Sequence, residues 1–333
     1  MQVITSMGMK NTPHDELFKH IMGNPKTAKN FIKEYLPGEI LDNVDLSELK
    51  DKTQDYTDEK LDNYRTDLVY RSELESGREA YFYFLFEHKS SPDRDVVFQL
   101  LRYMTLIWER AGREEAEYPL VLPILFYHGS ERDEFWPYGD SLSDVLTEVP
   151  GWASNITPYF DYFLFDFNRM AESDPDDPRL NAYFRLLETA WAHNKRALIR
   201  KVLNLIERAE VEYGRIVEKD YEKVFQYVSV AVDFSHRDMQ EVVEKEVPKR
   251  REDYMTIAEE LREEGRKEGR KEGREEGIVH AMDVILKLRE KFGEEEAFDL
   301  AAEIKEKDTK KLDRIEQAIE EAEKIEELKD LIK

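Results

Sequence analysis

The sequence predicts a mixed α/β sheet flanked by helices, followed by an all-helical carboxy-terminal region. Three observations carry that expectation: a wholly apolar run, Tyr81-Phe82-Tyr83-Phe84-Leu85-Phe86, helical periodicity on both sides of it, and a glycine repeat late in the chain. A strand that is apolar on both faces is one covered on both faces, so residues 80–87 belong near the centre of the sheet.

Taken in order, Leu17, Phe18, Ile21, Met22, Phe31, Ile32 and Tyr35 recur at helical spacing, and Asn24-Pro25 breaks the run into two helices. Thr12-Pro13 has the form of a helix start, with Asp15 and Glu16 suited to the positive end of the helix. Leu41 to Leu49 is expected to enter the sheet. Tyr64 to Glu73 and Ala80 to Glu87 read as a hairpin around Ser76-Gly77-Arg78. After Ser91-Pro92-Asp93, Val97, Leu100, Leu101, Met104, Ile107 and Trp108 mark one face of a helix, with Pro92 suited to its first turn. Leu120 to Tyr127 and Tyr159 to Phe167 complete the expected strands, Pro123 making the former an edge or bulged strand.

Glu172 to Pro178 reads as an acidic linker, and everything beyond it as helical. The expected division is therefore a sheet domain at 1–170, a helical domain at 179–250, and a long charged helix with terminal helices at 251–333. Within the last, a four-residue repeat sets Gly265, Gly269, Gly273 and Gly277 in a drifting stripe. Each glycine costs about 1 kcal/mol relative to alanine in a helix, so the stripe predicts close helix contact and a homodimer.

Composition narrows the chemistry. The 333 residues are 41% hydrophobic, enough for a full core. No run of roughly 18 apolar residues and no secretory leader is legible, which gives a cytoplasmic address by default and no membrane span. The absence of cysteine excludes disulfides, thiolate zinc sites and cysteine nucleophiles. A net charge of −24 opposes indiscriminate nucleic-acid binding, because that affinity comes mainly from cations displacing counterions. Any DNA would have to be held by a local basic surface and by bound cations.

One constellation nevertheless fits phosphodiester chemistry: carboxylates to hold a divalent cation and a lysine to act on the attacking water. Glu87 and Lys89 share a face if their strand continues that far. With the hairpin centred on Gly77, residues whose numbers sum to 154 are opposite, so Asp67 faces Glu87. Two opposed carboxylates repel unless a cation or solvent separates them. The plainer alternative makes Asp67, Glu87 and Lys89 ordinary solvated charges at strand ends.

The segments Pro13-His14-Asp15-Glu16-Leu17-Phe18-Lys19, Tyr64-Arg65-Thr66-Asp67-Leu68-Val69-Tyr70 and Phe86-Glu87-His88-Lys89-Ser90-Ser91-Pro92-Asp93 resemble the Rpn family of recombination-promoting nucleases, also called putative transposases. Leu101-Arg102-Tyr103 and Leu125-Phe126-Tyr127-His128-Gly129 extend the likeness through roughly the first half of the chain. The resemblance implies a restriction-endonuclease-like fold of the PD-(D/E)XK superfamily. It also implies Asp67 and Glu87 as ligands of magnesium (calcium or manganese as substitutes), the carbonyl of His88 as a further ligand, and Lys89 acting on the water. Many Rpn members have glutamine where Lys89 stands, so its presence favours activity. Gln99 and Tyr103 resemble a Q-x-x-x-Y element of RecB-like nucleases, with helix surface and core packing as their alternative roles. His14, Asp15 and Glu16 are candidates for a further ligand, a helix start being the cheaper explanation, and His128 is left outside the site.

The function these observations predict is a magnesium-dependent DNA endonuclease acting on double-stranded DNA, linked to recombination or to defence against mobile DNA. A catalytically inactive nuclease-like interaction module and a strand-transferring transposase are the alternatives. A small regulatory product begun at Met255 is a further expected partner.

Overall fold

The computed structural model describes residues 12–56, 68–87, 92–114, 116–129, 131–146, 148–170, 173–304 and 309–332. Contacts divide the chain into two compact units, Met1–Ala258 and Glu259–Lys333. Among the described residues no helix is long and apolar enough to cross a membrane.

The first unit is organised by a five-stranded sheet in the order β1-β2-β3-β4-β5, comprising Val44–Asp51, Leu68–Leu74, Glu79–Glu87, Leu120–Tyr127 and Phe163–Asp166. The first three strands form an antiparallel meander, and β3, β4 and β5 run parallel. The doubly apolar strand is β3, and it is central as its composition requires. Helices α1 (Pro13–Met22) and α2 (Pro25–Tyr35) precede the sheet, followed by the short α3 (Gly38–Leu41), while α4 (Val96–Arg113) makes the crossover from β3 to β4.

Alternation along the strands sorts the aromatic side chains onto two faces. Tyr81 and Tyr83 pack with Val97, Leu100, Met104 and Ile107 of α4. On the other face, Phe31 of α2 meets Phe84, Phe126 and Phe165 at ring distances of 6.1, 6.0 and 4.8 Å. The two helix starts are capped as their sequences require. Thr12 accepts from the Asp15 backbone while Asp15 accepts from the Thr12 backbone, and Asn24 accepts from Lys26 and Thr27 ahead of Pro25.

Three sequence expectations need correction. Pro123 does not mark an edge strand, because β4 lies between β3 and β5. The ladder to β5 begins only at Ile124, so the proline sits where one side of β4 is still unpaired. Pro92 is not in the first turn of α4, which begins at Val96 after Asp95. Residues 173–178 are not a free linker: Asp177 is buried and caps α6 (Pro178–Glu188) by accepting from the backbone N–H groups of Arg179 and Leu180. Its other carboxylate oxygen accepts from Asn30 of α2 and Tyr213, which ties the segment to the sheet-covering helices. The helices of 179–250 fall within the first compact unit, Met1–Ala258.

After β5 and the short α5 (Phe167–Met170), helix α6 is followed by α7 (Lys195–Tyr213), α8 (Ile216–Ala231) and α9 (His236–Glu246). The long helix α10 (Arg251–Phe292) comes next, then α11 (Glu294–Ile304), α12 (Thr309–Glu321) and α13 (Lys329–Ile332). The second unit buries an aliphatic seam that includes Val284, Leu288, Leu300, Leu312, Ile315 and Ile319. A side-chain carbon added at Gly265, Gly269 or Gly277 would meet nothing within 4 Å, so at these three positions no other described residue makes the expected close contact.

Candidate nuclease site

The strand ends define where a site can form. β3 and β4 are parallel and in register from Ala80 with Leu120 to Glu87 with Tyr127, and Tyr127 is in turn opposite Asp166 of β5. Three strands therefore terminate together at one end of the sheet. β2 is antiparallel to β3 and begins at that same end with Leu68, which follows Asp67 in the sequence. The carboxyl ends of parallel strands are the usual place for a ligand crevice in an open α/β sheet.

Of the predicted site residues, Glu87 is the last residue of β3. Asp67, His88 and Lys89 lie outside the described residues. Gln99 is in the first turn of α4, partly exposed, and Tyr103 one turn later is buried and stacked on Tyr83 with ring centroids 4.5 Å apart. That stack runs α4 back along the sheet from the end of β3 and leaves Gln99 one turn nearer that end.

The hairpin register differs from the expected one. Its ladder pairs Leu68 with Phe84 and Glu73 with Glu79, positions summing to 152 rather than 154. The cause is the turn: Leu74 and Arg78 still pair through a 2.7 Å backbone bond, leaving Glu75-Ser76-Gly77 as a three-residue loop centred on Ser76. Gly77 takes the left-handed conformation at its end, with φ of 79°. A displacement of two residues preserves the face to which each side chain points, whereas one residue would reverse it. The ladder itself opposes two acids, Glu73 and Glu79, and Arg71 lies at 3.5 and 2.6 Å from them. A cation between cross-strand carboxylates is thus the solution this hairpin already uses.

The remaining candidates resolve into structural roles. Asp15 is half of the helix cap, and Glu16 pairs with Lys223 of α8 at 3.3 Å. Nδ1 of His14 lies 3.0 Å from the Tyr227 hydroxyl. His128 is fully buried, 4.8 Å from the Trp191 ring and 5.4 Å from that of His14. Asp166 accepts from the Trp136 and Asn168 backbones at 2.9 and 3.1 Å, fastening the surrounding loop.

Two clusters escaped the sequence reading because their members are distant in the chain. Arg179 and Asp220 are each 1% exposed and form a two-pronged ion pair at 2.7 and 2.8 Å. Nε2 of His20 donates to the same carboxylate at 2.7 Å, and Arg179 also donates to Thr27 and to the carbonyls of Ile21 and His20. Burial disfavours the charge on Asp220, but hydrogen bonds from His20 and Arg179 outweigh it and hold the carboxyl below its usual range. In the second unit His280 lies 3.1 Å from Glu316 and 3.7 Å from Asp313, the one His/acid group among the described residues with a spacing suited to a cation. Lys287 already neutralises Glu316 by a direct hydrogen bond.

Residues 12–215 match the family described as "Putative transposase, YhgA-like". The chain belongs to that family. It is 30% identical over 265 residues to recombination-promoting nuclease RpnA of Escherichia coli K12, an overlap of 77% of this chain and 86% of RpnA. Identity to RpnD of E. coli O157:H7 is 34% over 141 residues, covering 41% of this chain and 54% of RpnD. Identity to the inactive recombination-promoting nuclease-like protein RpnE of E. coli K12 is 28% over 258 residues, covering 76% of this chain and 82% of RpnE. No solved structure matches. The YhgA-like segment contains the whole sheet and both helices that cover it ahead of β1.

Proposed function

We propose that this YhgA-like protein is a metal-dependent DNA endonuclease that hydrolyses phosphodiester bonds at the end of the sheet where β3 terminates. The observation that carries the reading is that β2 begins and β3 ends at one end of a mixed sheet, at Leu68 and Glu87, and that in sequence Asp67 directly precedes Leu68 while Lys89 follows Glu87 by two positions. Similarity to RpnA over most of both chains supports it.

The donor set fits a hard divalent cation. Asp67 and Glu87 offer anionic oxygen, and the His88 carbonyl offers neutral oxygen, the combination magnesium prefers. When bound, such an ion polarises the phosphate and lowers the pKa of water. Lys89 orients the attacking water or balances the negative charge that develops on the phosphate. Gln99, on the turn of α4 nearest the strand end, supplies an amide to position the scissile group. Double-stranded DNA is the substrate assigned.

Plasmid nicking in magnesium tests the assignment. The parent should convert supercoiled DNA to the nicked form, and Asp67→Ala, Glu87→Ala and Lys89→Ala should each lower the rate by at least about a hundredfold, the scale of losing an electrostatic or acid–base contributor. Equal cleavage by parent and variants would remove these residues from the site. A second reading, a catalytically inactive interaction module, is favoured by the charge of −24 and by the similarity to RpnE; a parent that nicks no DNA would select it. Covalently joined DNA products would instead select strand transfer.

A further inference from the structure

A groove of about 670 Å³ opens between α1, the first residue of β2 and the start of α8. Lys19 and His20 line it from α1, Arg215 from the residue that precedes α8, Lys219 from α8, and Leu68 from β2, with Asp51 the carboxylate on its rim. Arg215 and Lys219 are exposed and make no ion pair with any described residue. In a chain with 74 acidic against 50 basic residues, cations left unpaired along a groove are informative. Leu68 connects the groove to the proposed site, since Asp67 is its neighbour in sequence.

The walls of the groove are held by the buried network described above. Arg179 of α6 grips the last turn of α1 through the His20 and Ile21 carbonyls, and Asp220 of α8 binds both Arg179 and the His20 ring. Lys219 is adjacent in sequence to Asp220, and Arg215 lies one helical turn earlier. Their spacing is thereby fixed by a rigid core rather than by a surface loop, as a site for successive phosphates requires.

We infer that this groove is the track for the DNA backbone, with Arg215, Lys219 and Lys19 contacting successive phosphates of a duplex whose scissile bond lies beyond Leu68. The choice of DNA rests on the nuclease reading. Phosphate contacts set position and carry no sequence information, so the track confers affinity without sequence preference. It also reconciles nucleic-acid binding with a strongly acidic chain, because only the local field at the groove needs to be positive.

The test is binding of a labelled duplex by the full chain in EDTA, with fluorescence anisotropy read across a salt series. Arg215→Glu/Lys219→Glu should lower affinity by at least about tenfold and make the log–log salt slope shallower by about two, one for each lost phosphate contact. Arg215→Gln/Lys219→Gln should shift both in the same direction by less. Arg78→Glu, at the opposite end of the sheet, should leave both unchanged. Unchanged binding by both double variants, or a parent without duplex affinity, overturns the groove. Equal competition by single-stranded RNA overturns its assignment to duplex DNA. Failure of the nuclease reading is separable: a parent that nicks nothing but loses binding on charge reversal keeps the groove and loses the catalysis.

Discussion

The two units of this protein hold themselves together by different means. In the first, the core is aromatic and two-sided: Tyr83 stacks on Tyr103 on one face, Phe31 gathers Phe84, Phe126 and Phe165 on the other, and a buried arginine and aspartate lock helices on the second face. In the second, the buried seam is aliphatic, and its polar contacts, such as Lys287 with Glu316, lie at the surface. Large rings and charge-assisted bonds fix geometry, while a leucine and isoleucine seam needs only apolar volume in roughly the right place. Positional precision is concentrated in the unit that carries the proposed chemistry.

The sharpest way to break this contrast is Asp220→Asn. Arg179 would be left buried without a counter-charge, and the first unit should lose about 3–5 kcal/mol in urea unfolding while the second unit's transition stays in place. A loss below about 1 kcal/mol would show that the network does not organise the first unit. The pH dependence follows from the same group. Its folded pKa lies below the unfolded value near 3.9, so its contribution is fully present above that value and declines as pH falls through the folded one. The variant should therefore lose part of the acid limb of the stability curve.

In the second unit, Ile315→Val removes one buried methylene from the seam and should lower its transition alone by about 0.5–1.5 kcal/mol. A matching fall in the first unit's stability would contradict the division. Opposite in sign is Gly265→Ala/Gly269→Ala. Both positions face open space, so helix propensity alone predicts a gain of up to about 1 kcal/mol per site by thermal unfolding. A loss instead, with a fall in sedimentation coefficient, would mean that the stripe contacts a second copy. Glu316→Gln marks the lower bound, since a partly exposed pair with Lys287 is worth at most about 1 kcal/mol.

The same contrast explains what the sequence made legible. Periodicity placed β3, α1, α2 and the helical tail because burial acts residue by residue along a local run. The hairpin register was missed because it depends on which turn residue takes positive φ, and Gly77 could close the loop or centre it. Pro123 misled because the rule for proline in sheets concerns a missing donor, and the answer depends on where the neighbouring ladder starts. Asp177 read as linker because a cap and a solvated acid look alike until a helix follows. Arg179, Asp220 and His20 were invisible as a unit, since they come from three helices far apart in sequence. As for the proposed site, the sequence supplied its residue types and order, and the fold supplied the common strand end at Leu68 and Glu87.

The Ser76-centred loop has a consequence for how this hairpin can vary. Sliding β2 along β3 by two residues keeps Tyr70 in the interior and leaves Arg71 and Glu73 on the face they already occupy. A slip of one residue would turn the whole strand over, so a single added residue must be taken up by a longer loop or by a bulge. An odd length change between β2 and β3 in relatives should therefore appear as a different turn beyond the Leu74–Arg78 pair or as a bulge, with the strand faces kept.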